Sequence, residues 1–119
     1  PPLTQLRERI TTAVGQSFNS VLLNLYRNGQ DAMGMHSDNE KELGNAPCIA
    51  SLSLGATRRF VFQHKHQATE KYALDLPSGA LLIMTGQTQK LFKHGVPRQK
   101  RVNAPRINLT FRYIHAINS

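Results

Sequence analysis

The chain is poor in cysteine, acids and long apolar runs, and it has no tryptophan. Cys48 is the single thiol, and 7 Asp and Glu stand against 15 Lys and Arg in 119 residues. One cysteine excludes a disulfide scaffold or a Cys-type zinc site within the chain, and it fits a reducing compartment, cytoplasm or nucleus. Cys48 lies in the apolar run Cys48-Ile49-Ala50 and reads as a small core residue rather than a nucleophile. No apolar run approaches the roughly 20 residues that a bilayer-crossing helix needs. Nothing at the start has the pattern of a signal peptide, so no membrane attachment is expected. The chain opens Pro1-Pro2 without an initiator Met, as an internal fragment would. The shortage of acids leaves a formal charge of +8, which favours polyanionic partners, nucleic acid first. The length suits a single domain, 1–119, with one core. No protein partner is evident, and a monomer is expected.

Leu3, Leu6, Ile10 and Val14 recur at helical spacing between two prolines and Gly15, which predicts one amphipathic helix over about 3–14 in an N-terminal region 1–17. From Phe18 to Ile114 the texture is short apolar runs cut by Gly, Pro and Asn. Strands are expected at 18–26, 48–54, 59–63, 71–76, 80–85, 89–94 and 106–114. Asn28-Gly29, Gly44-Asn45 and Pro77-Ser78-Gly79 supply turns. The basic stretch 97–105 reads as a loop. Many short strands after one helix predict a mainly β fold, an antiparallel sandwich or jelly roll with the helix packed on a sheet.

Met35-His36-Ser37-Asp38-Asn39-Glu40 puts an imidazole and a carboxylate two residues apart. In extended backbone the two side chains fall on one face and can share an ion. Two protein ligands rarely hold a transition metal alone, and two His with one carboxylate make the facial triad of non-haem Fe(II) oxygenases. The third ligand has candidates in His64, His66, His94 and His115. His64 and His66 flank a hairpin end and His115 follows the last strand, where exposure is ordinary. His94 ends a strand before Gly95, a residue that lets another backbone approach closely. A His-X-Asp tripeptide by itself is common.

In the final strand Arg106, Asn108, Thr110 and Arg112 share one face and Ile107, Leu109, Phe111 and Tyr113 the other. Two arginines on one strand face repel unless anions lie between them, and Arg grips carboxylates through paired hydrogen bonds. A dicarboxylate would suit this face. Asn24 and Tyr26 form a matching polar pair on the first strand, whose other face carries Val21, Leu23 and Leu25. Polar alternation equally describes a sheet facing solvent.

Asn24-Leu25-Tyr26, His36-Ser37-Asp38, His94 and Arg106-Ile107-Asn108-Leu109-Thr110-Phe111-Arg112, taken in order, resemble the AlkB family. So does Ser51-Leu52-Ser53-Leu54-Gly55-Ala56-Thr57-Arg58. The resemblance runs from about Leu3 to Tyr113, and the block from Met35 to Arg59 is most similar to the animal members that act on 1-methyladenine and 3-methylcytosine. It implies a double-stranded β-helix (jelly roll) over 18–114 and an oxidative demethylase of N-alkylated DNA or RNA that uses Fe(II), 2-oxoglutarate and O2. It further implies that His36, Asp38 and His94 bind the metal. Asn24, Tyr26, Arg106, Asn108 and Arg112 would bind 2-oxoglutarate, with Arg106 on the far carboxylate and Arg112 near the keto-acid end, where it joins the catalytic group. Glu40 would face the damaged base. Arg58 is a candidate for substrate contact through phosphate, by its charge rather than by the resemblance. Family members carry an N-terminal recognition lid ahead of such a core.

Lys65, Lys90, Lys93, Arg59, Arg98, Lys100 and Arg101 are further candidates for phosphate contact. Two alternatives stand beside this reading. One is a 2-oxoglutarate dioxygenase that hydroxylates a protein or small molecule. The other is a basic nucleic-acid-binding module without turnover.

Overall fold

The structure is a computed structural model that describes residues 2–115. One helix, α1 (Pro2–Val14), precedes eight strands: β1 (Ser20–Tyr26), β2 (Met33–His36), β3 (Ile49–Gly55), β4 (Arg58–His64), β5 (Lys71–Leu76), β6 (Leu81–Met84), β7 (Phe92–Val96) and β8 (Arg106–Arg112). A 3-10 turn (Lys41–Leu43) follows β2, and a one-turn helix, α2 (Thr88–Leu91), leads into β7. The strands form two antiparallel four-stranded sheets in the orders β1-β8-β3-β6 and β2-β7-β4-β5. This is the expected jelly roll.

Two apolar clusters hold the layers. Tyr26, Leu43, Ile49, Phe60, Leu76, Met84 and Val96 fill the space between the sheets. Ile10, Phe18, Ala50, Leu109 and Phe111 lie between α1 and the outer face of the first sheet, with Leu6, Val14 and Cys48 packed around them. Cys48 therefore takes the packing role expected of it. Of the four periodic apolar positions of the helix, Leu3 stays exposed, because the cover given by α1 ends before its first turn. Leu23 and Leu25 on the outer face of β1 are exposed as well.

One predicted strand needs correction and one strand was not predicted. The stretch 89–94 is not one strand. Its first half is α2, whose Leu91 N–H bonds back to Gln87 O, and extension begins only at Phe92. A short mixed polar and apolar run fits either period, and tertiary bonds decide between them. β2 was not among the predicted strands. Its four residues Met33-Gly34-Met35-His36 are too few to show alternation, and a register shift interrupts its pairing with β7.

Candidate metal and dicarboxylate site

β1 and β8 pair without interruption from Ser20↔Arg112 to Tyr26↔Arg106, and β8 pairs with β3 on its other side. Unbroken register lets the period of two run through all three strands. Asn24 and Tyr26 of β1, Arg106, Asn108, Thr110 and Arg112 of β8, and Ser51 of β3 all line one cavity of about 100 Å³ between the sheets. Their apolar alternates Leu109 and Phe111 pack under α1. The polar face is thus an interior wall and not a solvated surface. A larger open groove along α1 is lined by Pro2, Gln5, Leu6, Glu8, Arg9 and Thr12, with no histidine and a single acid.

The facing sheet contributes the metal corner. His36 and His94 are register partners across β2 and β7, and their rings lie 4.5 Å apart. Gly95 permits this approach, since a Cβ there would stand 2.7 Å from Met33 O. Asp38 lies two residues past the end of β2. Its Oδ2 is 3.6 Å from His94 Nε2 and its Oδ1 is 4.0 Å from His36 Nε2. One donor atom from each of the three residues falls within 4.8 Å of the others. His94 is the partner that the two-residue motif required, while His64 and His66 bond with the turn after β4. His115 is an exposed residue whose backbone N–H bonds to Glu42 O.

The electrostatics suit a cation beside an anion. Burial, with the neighbouring His36 charge, pushes the His94 imidazole down to about 4, so it stays neutral and able to ligate near pH 7. Phe60 stacks on its ring at 5.3 Å. Burial is also the largest influence on Asp38 and raises its carboxyl. Glu40 adds to the rise, and His36 and Arg112 oppose it. A carboxylate and an imidazole desolvated together, beside a second, half-exposed imidazole, favour a metal ion, which compensates the buried charge.

Arg106 is 2% exposed, and of its donors only Nη2 finds a described partner, Ser53 Oγ at 2.8 Å. Nε and Nη1 of Arg106 and Nε of Arg112 are buried without a hydrogen-bond partner among the described residues. A buried guanidinium left unpaired is costly, and both line the cavity. Burial and the nearby Arg58 lower the Arg106 guanidinium from its ordinary value, while Tyr26 opposes the shift. An anion in the cavity would meet these free donors. The donor set therefore fits both an iron ion and a dicarboxylate.

Other candidate residues sit differently. Asn108 lines the wall, but its Nδ2 already donates to Ser51 Oγ (2.6 Å) and Leu52 O (3.3 Å). It braces β8 against β3. Glu40 is exposed beyond the metal corner, just ahead of the 3-10 turn. Arg58 is not placed to bind substrate. It is 1% exposed, and it donates to Asn28 O, Asp31 O, Pro97 O and Gln99 Oε1 at 2.8–3.2 Å. Its guanidinium lies 5.4 Å from the Tyr26 ring centroid. An arginine drawn inward to four acceptors and closed off from solvent is out of reach of a ligand at the surface. Lys65, a phosphate candidate, has its Nζ bonded to Gln89 O at 2.8 Å. Ser51 and Ser53, which hold Asn108 and Arg106, show their alternation in the sequence. Gln89, whose Oε1 accepts from the Asp38 N–H, carries no signal there.

The comparisons with known proteins agree with this geometry. The family described as the 2OG-Fe(II) oxygenase superfamily matches residues 1–112. DNA oxidative demethylase ALKBH2 of Bos taurus is 45% identical over 121 residues, covering 96% of this chain and 44% of that protein. Alpha-ketoglutarate-dependent dioxygenase alkB homolog 3 of Homo sapiens is 44% identical over 123 residues, covering 97% and 43%. The solved structure of OsALKBH1 superposes with a TM-score of 0.68 at 28% identity, over 82% of this chain and 49% of that one. The chain thus spans less than half the length of these two curated relatives. A match along nearly the whole chain, joined to a His, Asp and His corner opposite two unpaired arginines, means that the chain belongs to the 2OG-Fe(II) oxygenase superfamily, among its AlkB-type members.

Proposed function

We propose that this chain is the catalytic core of an Fe(II)- and 2-oxoglutarate-dependent oxidative demethylase. Its substrates are N-alkylated bases, 1-methyladenine and 3-methylcytosine, in DNA or RNA, and its products include formaldehyde and succinate. The observation that carries the reading is the set of buried donors without a described partner, Nε and Nη1 of Arg106 and Nε of Arg112, facing the His36–Asp38–His94 corner across one cavity. The names of the relatives, a DNA oxidative demethylase and an alpha-ketoglutarate-dependent dioxygenase, support the substrate class.

His36, Asp38 and His94 would hold Fe(II) through one atom each and leave the remaining coordination positions to cosubstrate and O2. When bound, the metal and 2-oxoglutarate supply the oxidising chemistry. The protein's part is to bind, orient and exclude water. Arg106 offers the far carboxylate of 2-oxoglutarate its charge and a donor that the fold leaves without a partner, while Ser53 anchors its Nη2. Arg112 places its free Nε beside Asp38 and the keto-acid end. Tyr26 backs Arg106, whose guanidinium lies 5.1 Å from the ring centroid. Asn24 and Asn108 shape the wall. Glu40 offers a carboxylate to a cationic methylated base. That base has to leave the duplex or come from a single strand to reach the metal. The charge of +8 draws in the phosphate backbone in a salt-dependent way. The lone thiol supports a reducing compartment, cytoplasm or nucleus.

The test is to supply the protein with Fe(II), 2-oxoglutarate and ascorbate and to measure formaldehyde from a 1-methyladenine oligonucleotide, with succinate followed in parallel. Formaldehyde above the unmethylated control supports the assignment. Succinate without formaldehyde from any methylated base keeps the oxygenase and removes the substrate class. Neither product removes both.

A further inference from the structure

Asp38 supplies the carboxylate of the metal corner, yet no strand holds it. β2 ends at His36, and the next regular element is the 3-10 turn at Lys41. Two bonds, one to the neighbouring strand β7 and one to α2 just ahead of it, secure the segment between them. Ser37 Oγ donates to Phe92 O at 2.7 Å, and the Asp38 N–H donates to Gln89 Oε1 at 2.8 Å. Gln89 belongs to α2, is 2% exposed, and has only the Met84 sulfur, 3.5 Å away, as an acceptor for its nitrogen. A buried amide with one weak and one good partner is an expensive choice of side chain. Here its carbonyl meets a backbone donor that has no ladder to join. The backbone carbonyl of Gln89 accepts from Lys65 Nζ, and Leu91 O accepts from Lys65 N, so α2 is tied to the hairpin after β4. Gln89 thus links that rigid support to a single peptide unit of a metal ligand.

We propose that Gln89 is a positioning residue for the metal centre: its buried side-chain carbonyl fixes the Asp38 peptide and so aims the Asp38 carboxylate between His36 and His94. The proposal rests on reading His36, Asp38 and His94 as the metal ligands. Groups that orient ligands from outside the coordination sphere typically govern metal affinity by about 10- to 100-fold when removed.

Mn(II) serves as the redox-silent probe. Its affinity is read from the paramagnetic resonance signal of the free ion, beside the melting temperature of the metal-free protein. Gln89→Met keeps the size and suits the Met84 contact but removes the acceptor. It is expected to weaken Mn(II) about tenfold or more, with the metal-free melting temperature retained. Gln89→Glu restores an acceptor oxygen at the same reach and recovers most of the affinity. If Gln89→Met does not fold, Gln89→Asn, one methylene too short to span the gap, carries the same expectation. Mn(II) affinity in the folded Met or Asn variant within twofold of the unmodified protein overturns the role of Gln89. Equal weakening in the Met and Glu variants overturns it too, since the acceptor would then be irrelevant. Failure of the unmodified protein to bind Mn(II) more tightly than Asp38→Ala instead overturns the reading of the metal site.

Discussion

The two walls of the cavity are made in different ways. The arginine wall rides on β1, β8 and β3, which pair residue for residue with no irregularity. Once the register is set, every second side chain points inward, so Asn24, Tyr26, Arg106, Asn108, Thr110 and Arg112 share one face through backbone pairing, and bonds such as Arg106 to Ser53 and Asn108 to Ser51 only trim their orientation. The metal corner rides on β2, four residues long with a register shift, and on a segment beyond its end. There each ligand has its own device. His94 uses the glycine beside it and the Phe60 stack, His36 donates its Nδ1–H to Gly34 O (2.8 Å), and Asp38 uses Gln89. A regular sheet supplies direction through periodicity, whereas an irregular edge supplies it through single bonds. The first should tolerate changes in its supports, and the second should not.

Four measurements break or sharpen that contrast. The largest effect is expected from Asp38→Ala, which removes the one anionic ligand. Metal affinity should fall by more than about a hundredfold, beyond the range for outer groups, and succinate formation should drop to background. Turnover retained in this variant would dismantle the metal corner. Arg106→Ala acts on the other wall alone. It removes the charged partner of a carboxylate, a change worth about 2–5 kcal/mol, so the 2-oxoglutarate requirement should rise by about 30-fold or more while Mn(II) affinity stays level. A parallel loss of metal affinity would show that the walls are not independent.

Arg58→Met probes a residue that serves neither wall directly. Four acceptors lose their donor. Leaving buried acceptors unsatisfied costs about 1–3 kcal/mol each where water cannot replace the donor, so a loss of about 3 kcal/mol in denaturant stability is expected. A variant as stable as the parent but unable to bind oligonucleotide would return Arg58 to the substrate. The smallest effect is on pH dependence. The His94 pKa in the metal-free fold, about 4, lies below its unfolded value of 6.5. The unfolded chain therefore takes up a proton first as pH falls. Stability from this group is whole above pH 6.5 and is lost progressively down to about pH 4, by roughly 3 kcal/mol at most. The raised Asp38 carboxyl works in the opposite sense and trims that loss. His94→Gln should flatten the metal-free stability profile between those limits. A profile as steep as the parent's would mean that another group titrates there.

The arginine wall could be read from the chain because its information is periodic. The alternation of Arg106, Asn108, Thr110 and Arg112 against Ile107, Leu109 and Phe111 names both faces before any folding. The metal ligands were partly legible. His36 and Asp38 are local, while His94 was one histidine among several until register paired it with His36. The positions misread, 89–94 and Arg58, share one cause. Gln89 and Arg58 look like ordinary polar residues in short or basic stretches, and their burial depends on acceptors or donors 27 to 51 residues away.

Charge, the helix with most of its strands and the candidate ligand types are properties of residue composition, order and periodicity, and the amino-acid sequence alone determined them. Which arginine keeps free donors and which braces, where α2 replaces a strand, and what bonds the Asp38 peptide were decided only by tertiary structure. The physical reason is that a buried polar group must be satisfied by whatever the fold brings beside it, and neighbours in space are not written as neighbours in the chain.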